Sequence, residues 1–329
     1  MIKLGILTDL YNHYQLYEQS CRELHVDYVI IDFLSSKWLQ HIHNNLDCDG
    51  YLVRPTHDFQ EHRDVYMERL YFLNKELNKP IYPSYEELHL YENKRNMYTW
   101  LSIHNFPHIK THVFLNKKEA IQYIKYCSYP IVMKANTGAG ATGVEIVKTR
   151  RRAMRRINNV FGRIHPLFAL GHPQYRKKFS VNLPVFGMAE KHVVLIQEYK
   201  DIKWEWRIIK IDNSFFGHQK LLKNDYASGS GLVGWVEPPK ILLDLTREIC
   251  LKGNFYSMAA DIFETKSGEY FVNELQSLFG SYLNSQMVIN GTSGRFRYDN
   301  GNYVFEEGTF NRLGSYLLRV RHFLNILKS

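Results

Sequence analysis

Two groups of residues in this 329-residue chain have the types and spacing to handle phosphate. The first is Lys134 followed by Thr137-Gly-Ala-Gly-Ala-Thr-Gly143, in which Gly138, Gly140 and Gly143 form a GxGxxG pattern. Glycines let backbone N–H groups approach phosphate oxygens closely, and a lysine just before them adds a point charge. The pattern alone is weak evidence, so its context decides. A dinucleotide-binding loop leads from a strand into a helix, whereas here Pro130-Ile-Val-Met-Lys134 leads into a second strand, Val144-Glu-Ile-Val147. A Walker loop needs Lys and Ser/Thr after its last glycine, where Val144 and Glu145 stand. A protein kinase needs its HRD and DFG after the loop; His62-Arg-Asp64 precedes it and no DFG exists. What remains is a hairpin, either a flap over phosphates or an ordinary hairpin beside a solvated lysine.

The second group is Asp261, Glu274 and Gln276. Residues 260–276 read as strand, a turn at Lys266-Ser-Gly268, and strand, which sets Asp261 and Glu274 on adjacent antiparallel strands. Glu274 and Gln276 are two apart and share a face. Three oxygen donors on one sheet face suit Mg²⁺, which takes a few carboxylates together with nucleotide phosphates. The plainer alternative is a solvated sheet face. Phe271, Val272 and Leu275 flank Glu274, however, and a partly buried carboxylate needs a partner.

The elements that must hold these residues alternate. Short apolar strands at Leu4–Leu7, Tyr28–Phe33 and Gly50–Val53 are separated by helical stretches at Gln15–Leu24 and Val65–Leu77. That pattern predicts a parallel sheet in an α/β unit ending near residue 88. A helix over about 93–104 starts the next unit. A β-rich glycine-containing stretch (130–147), a basic segment and a strand at Val193–Gln197 follow it. Strands up to Ile211 and over Tyr270–Glu274, then a helix over about 311–327, complete the chain. The expected division is 1–88, 89–198 and 199–329.

Composition fits that plan. The hydrophobic share is 45% and mean hydropathy is -0.36, in the range of a globular protein with a substantial core. No stretch is apolar enough for a membrane span and no secretory signal is visible, so the expected location is cytoplasmic. Cys21, Cys48, Cys127 and Cys250 are scattered, without metal-site or disulfide spacing. The net charge of +9 sits in one place: Arg150 to His192 holds ten Lys/Arg against one acid, Glu190. Six of those bases or their neighbours crowd into Lys148–Arg156, and Arg176-Lys-Lys178 follows. Such a run is either a solvated helix face or a landing site for a polyanion: an acidic glycan, an acidic peptide or nucleic acid. No RRM or KH signature supports the nucleic-acid case.

Taken in order, these groups resemble the ATP-grasp superfamily of carboxylate–amine ligases, which includes D-alanine–D-alanine ligase, glutathione synthetase and the ribosomal-protein glutamate ligase. The likeness covers roughly residues 90–285. It implies an α/β ATP-grasp fold preceded by a Rossmann-like pre-ATP-grasp domain, a lid domain and a C-terminal domain with the metal site. By resemblance, Lys94 in Glu92-Asn-Lys94 and Lys134 take the two nucleotide-lysine positions, and Gly138, Gly140 and Gly143 form the phosphate flap. Gln197, Glu198 and Tyr199 match the hinge beside adenine, and Glu205 the ribose contact. Arg207 and Lys220 match bases near the transferred phosphate. Asp261, Glu274 and Gln276 match the metal triad, with Gly280 following. The implied cofactors are ATP and Mg²⁺; the implied partners are a carboxylate and an amine, with an acidic polymer or carrier compatible with the basic segment. The implied reaction activates the carboxylate as an acyl phosphate and passes it to the amine, releasing ADP and phosphate. Gln276 stands where the family has Asn, and Ala259 where many members have an Arg. The segment Asn224–Gly231 resembles a glycine/serine loop of ATP-grasp proteins from bacterial glycan gene clusters. The competing readings are a non-catalytic ATP-binding protein and a basic RNA- or polyanion-binding protein. Oligomeric state, a homo-oligomer included, is left open.

Overall fold

The computed structural model describes residues 2–56, 60–137, 143–162, 175–176, 183–184, 191–223, 227, 231–279 and 283–329, the two short pairs by backbone only. Gly138, Gly140, Gly280, Lys177, Lys178 and most of the Asn224–Gly231 loop lie outside the described residues.

The first sheet holds β1 (Lys3–Leu7), β2 (Asp27–Ile31), β3 (Gly50–Leu52) and β4 (Ile81–Tyr82), all parallel in the order β2-β1-β3-β4. Its helices are α1 (Gln15–Glu23), α2 (Trp38–His43) and α3 (Gln60–Tyr71). The helix expected over 65–77 starts earlier and ends in a π-helical turn, Phe72–Glu76. β1 and β3 are almost wholly buried, as strands covered on both faces must be.

A linking helix, α4 (Tyr85–Leu90), leads to α5 (Lys94–Ile103). The second sheet is antiparallel. It contains β5 (Thr111–Phe114), β6 (Ile131–Lys134) and β7 (Val144–Val147), with α6 (Lys117–Tyr126) and α7 (Arg150–Phe161) packed on it. A small hairpin, β8 (Tyr175–Arg176) with β9 (Leu183–Pro184), precedes β10 (Val194–Glu198), which inserts between β5 and β6. The expected hairpin is present: β6 and β7 pair antiparallel from Ile131↔Val147 to Lys134↔Val144.

The largest sheet carries the carboxylates. Its path joins β11 (Ile202–Ile211), β12 (Ser214–Lys220) with the short β13 (Val233–Gly234), β14 (Ser257–Thr265), β15 (Tyr270–Gln276), β16 (Val288–Ile289), β17 (Thr292–Asp299) and β18 (Asn302–Glu307). α8 (Lys240–Gly253) covers its apolar face, where Ile208, Phe216, Leu242, Ile249, Ala260 and Leu275 form one core. The helix expected over 311–327 is broken: Leu313 and Gly314 take positive φ, and α9 (Tyr316–Ile326) begins after them.

α9 folds back onto the first sheet. Tyr316, Val320 and Phe323 share a core with Leu4, Ile6, Tyr17 and Leu52. The approach is so close that a Cβ on Gly50 would lie 2.4 Å from the Phe323 ring, so glycine is required there.

Glu87 ties the linker to the large sheet. It is fully buried; its Oε2 accepts from the Ser84 N–H (2.7 Å) in a capping box, and its Oε1 accepts from the Ser257 N–H of β14 (2.8 Å). Burial pushes its carboxyl up to about 7. Glu87→Ala strips two buried N–H groups of their acceptor and should cost about 2–4 kcal/mol in urea denaturation. Because the folded pKa is raised, the wild-type contribution is complete below the ordinary carboxylate value and declines as pH rises through about 7. The variant should lack that part of the slope between pH 5 and 8.

Candidate active site

The strands of the large sheet bring most of the expected residues to one face. β11 pairs with β12 through Glu205↔Lys220 and Arg207↔His218, and with β14 through Arg207↔Asp261. β14 pairs with β15 through Asp261↔Glu274 and Ala259↔Gln276. Side chains two apart on a strand share a face, so Glu205 with Arg207, His218 with Lys220, and Glu274 with Gln276 all project the same way. Trp204 and Trp206 point to the other side, where both indole N–H groups donate to Glu264 Oε2 (2.9 and 2.8 Å). Arg207 is therefore not a cation packed between tryptophan rings.

Asp261 is the centre of this face and has no solvent exposure. Arg207 donates Nε to Oδ1 and Nη2 to Oδ2, both at 2.8 Å, a bidentate fork. Lys220 Nζ donates to Oδ2 at 2.8 Å and also lies 3.1 Å from Glu205 Oε2. Burial opposes the charge on Asp261, but the two cations prevail and hold its carboxyl well below the usual range. Glu205, expected at a ribose, is fully buried; it engages Lys220 through Oε2 and Asn273 Nδ2 through Oε1 (3.2 Å).

Asn273 was not singled out in the sequence, although it links the two halves of the site. Its Oδ1 accepts from Lys134 Nζ at 3.1 Å. The pairing of β14 with β15 jumps from Asp261↔Glu274 to Ile262↔Val272, so Asn273 is the extra residue of a β-bulge. The bulge places it on the site side beside Glu274, against the simple alternation of a strand. Tyr98 of α5 is a second unsignalled member; its hydroxyl accepts from Lys134 Nζ at 2.9 Å. His218, 4% exposed, was also unsignalled: its Nδ1 meets the Gln286 carbonyl oxygen at 2.9 Å, and burial brings its imidazole down to about 4.

Lys134 is 5% exposed and its ammonium lies 5.5 Å from the Tyr98 ring centroid. Burial lowers its pKa to about 8. Lys94 starts α5, where Asn93 caps by accepting from the Asn96 N–H. The N–H groups of Lys94 and Arg95 reach the carbonyl oxygen and Oδ1 of Asn136, two residues after Lys134, which pins the two lysine-bearing elements together. A cation in the first turn opposes the helix dipole, by about 0.3–1 kcal/mol, so Lys94 gains nothing from its own helix. Its Nζ lies 3.9 Å from Glu274 Oε1, whose other oxygen accepts from Gln276 Nε2 at 3.0 Å. A cleft lined by Glu92, Lys94, Met97, Glu274 and Gln276 opens here.

Gly143 has φ 76° and its carbonyl oxygen accepts from the Ala135 N–H, closing the described end of the hairpin. Gln197 is 2% exposed and donates to Thr111 Oγ1 (3.0 Å); Glu198 and Tyr199 follow, half-buried. Ala259 is fully buried opposite Gln276, so no base stands there. The basic helix α7 is partly neutralised: Arg152 and Arg156 both bond Glu145, while Arg150, Arg151 and Arg155 are exposed. Among the described residues no helix is long and apolar enough to cross a membrane.

No family model matches the chain. The alpha-aminoadipate–LysW ligase LysX of Saccharolobus solfataricus is 28% identical over 236 residues, which is 68% of this chain and 75% of that protein. The D-alanine–D-alanine ligase of Bacillus anthracis superposes with a TM-score of 0.56, covering 100% of this chain and 99% of that one at 14% identity. A RimK domain ATP-grasp protein of Sphaerobacter thermophilus gives a TM-score of 0.54, covering 83% and 90% at 14% identity. The chain is thus similar to ATP-grasp ligases, in fold along its length and in sequence over 236 residues. Low identity to the solved structures limits those two likenesses to the fold, whereas the resemblance to the first relative extends through the sequence.

A lysine whose folded pKa is depressed opposes folding while it is charged. Wild-type stability should therefore climb as pH rises from about 8 towards the ordinary lysine value. Lys134→Met should show no such climb, should melt no lower than wild type at pH 7, and should lose nucleotide binding by calorimetric titration.

Proposed function

We propose that this chain is an ATP-grasp ligase that joins a carboxylate to an amine through an acyl phosphate, with ATP as phosphoryl donor. One observation carries the reading: four cations, Lys94, Lys134, Arg207 and Lys220, converge around Asp261, Glu205 and Glu274 on one sheet face beside the glycine hairpin. Phosphoryl transfer needs positioning and charge neutralisation more than a protein nucleophile. Four fixed cations supply both.

In this scheme Lys94 and Lys134 hold the nucleotide phosphates, and Gly138, Gly140 and Gly143 close over them. The strand end Gln197-Glu198-Tyr199 borders adenine. Glu205, assigned to the ribose by resemblance, also sets the position of Lys220. The substrate carboxylate oxygen attacks the γ-phosphorus, the bond to ADP breaks, and Arg207 and Lys220 offset the charge on the moving phosphoryl group. The amine nitrogen then attacks the acyl carbon, the amide C–N bond forms and phosphate leaves. By resemblance Asp261, Glu274 and Gln276 would hold Mg²⁺; as oxygen donors they are of the type it takes, and in this structure both Asp261 oxygens accept from Arg207 and Lys220. When bound there, Mg²⁺ would neutralise phosphate charge. A carrier-borne or polymeric substrate is consistent with the exposed arginines of α7 and with a relative whose own name couples alpha-aminoadipate to LysW.

The test is ADP release from MgATP over a grid of carboxylates and amines. Release should need both partners, and Glu274→Ala should lower it by at least about 10²-fold, the cost of removing one preorganised charge group. Tight MgATP binding with no release for any pair, carrier-borne ones included, would identify a binder instead. No MgATP binding would remove the proposal.

A further inference from the structure

The order β2-β1-β3-β4 makes the gap between β1 and β3 a topological switch point. From β1 the chain crosses to one side and from β3 to the other, the arrangement that in open α/β sheets sets a ligand crevice beyond the carboxyl ends of the strands. Asp9 lies two residues beyond β1 and Arg54 two beyond β3. Arg54, half-buried, donates to the Tyr316 hydroxyl, and its guanidinium carbon lies 5.6 Å from that ring's centroid. Arg319, one turn further along α9, stacks near the same ring at 5.1 Å and over Phe279 at 4.0 Å.

Arg319 is fully buried. Its Nη2 donates to the Phe279 carbonyl oxygen (2.8 Å), but Nε and Nη1 make no hydrogen bond. Arg63, 4% exposed, donates to the Tyr91 carbonyl oxygen and likewise has an unpaired Nε. Among the described residues none of the three arginines is in a salt bridge. Asp9 acts on Arg54 only at a distance, and its oxygens accept from the N–H groups of Tyr11 and Tyr14 and from His13. The remaining neighbours are aromatic: Tyr316, whose ring lies beside both Arg54 and Arg319, Phe279 beside Arg319, and the neutral hydroxyls of Tyr17 and Tyr91, Tyr17 facing Arg319. Such contacts return about 0.5–2 kcal/mol, well short of the several kcal/mol that withdrawing a guanidinium from water costs. A cation buried at a ligand crevice with donors unfilled calls for an anion from outside.

We propose that Arg54 and Arg319 form a binding site for the oxyanion group of a small substrate, a carboxylate or phosphate remote from the reacting centre. The guanidinium fork suits either group, and the tyrosines line the remainder. Phe279, which holds Arg319, lies three residues beyond Gln276, and Tyr91 lies three before Lys94, so the chain leads directly from this crevice to the phosphate site. Assigning the anion to one of the ligase substrates rests on the proposed function; the anion site itself does not.

The experiment is thermal unfolding of the full chain at constant ionic strength with L-glutamate, inorganic phosphate or chloride, and separately with MgATP. Glutamate or phosphate should raise the wild-type midpoint saturably while chloride does not, and the more effective of the two distinguishes a carboxylate from a phosphate ligand. Arg54→Gln and Arg319→Met should weaken the anion's midpoint dissociation constant by at least about tenfold while keeping the MgATP shift. Arg319→Met, which replaces an unpaired buried cation with an apolar side chain, should melt no lower than wild type. If it fails to fold, Arg54→Gln alone decides. No saturable shift with either anion in wild type, or full retention of it in Arg54→Gln, overturns the proposal. Loss of the MgATP response in wild type would instead count against the ligase reading and leave the anion result standing.

Discussion

A carboxylate with no solvent exposure, Asp261, holds two cations at its two oxygens, and the geometry of the charged sheet face follows from it. Taking that charge out of water is costly, and the cost is offset only while Arg207 and Lys220 stay in hydrogen-bonding position; removing one partner of such a group typically costs about 3–5 kcal/mol. The arrangement therefore demands a fixed register. Arg207 must sit opposite Asp261 on one side and His218 on the other, with Lys220 opposite Glu205. A slip of one residue in β11 would send Arg207 into the apolar core and bring the tryptophans out.

From that anchor the charges continue in alternation. Lys220 meets Glu205, Glu205 meets Asn273, and Asn273 meets Lys134. The chain of contacts crosses from the large sheet to the lysine strand of the second sheet, so two elements that share no strand pairing are aligned by polar side chains. Burial sets what this face would do to a bound charge. Buried dipoles and charges do not reorganise when substrate charge shifts, and in a low dielectric their effect on that charge is large. The same burial leaves Lys134 close to losing its proton, which a phosphate ligand would reverse.

α9 plays a different part. It is last in the chain yet packs on the first sheet, and it brings Tyr316 and Arg319 beside Arg54 at the carboxyl ends of the parallel strands. The kink at Leu313 and Gly314 turns the chain so that this is possible. The charged sheet face is thus built from the middle of the sequence and the crevice residues come from its two ends, with two short stretches, 91–94 and 276–279, leading from one to the other.

Much of this was legible in the residues. Apolar runs separated by helical segments implied the parallel sheet, because strands buried on both faces have no polar face to show. The loop at 137–143 was identifiable as a hairpin because a strand pattern follows it. Glu274 and Gln276 share a face by the period of a strand alone. Other features depend on distance and could not be read locally. Asn273 has the wrong parity for the site, and only a bulge, set by how β15 meets β14, brings it round. Asp261 reads as a free acid until β11 and β12 place two cations on it. Glu205 reads as an exposed contact until burial gives it to Lys220 and Asn273. Arg54 and Arg319 are 265 residues apart, and nothing in either neighbourhood says that they meet. Residue types and short spacings, which obey the periods of helix and strand, fixed the class of chemistry. The tertiary structure decided which charges are paired, because pairing depends on register and on burial, and neither is a property of a local segment.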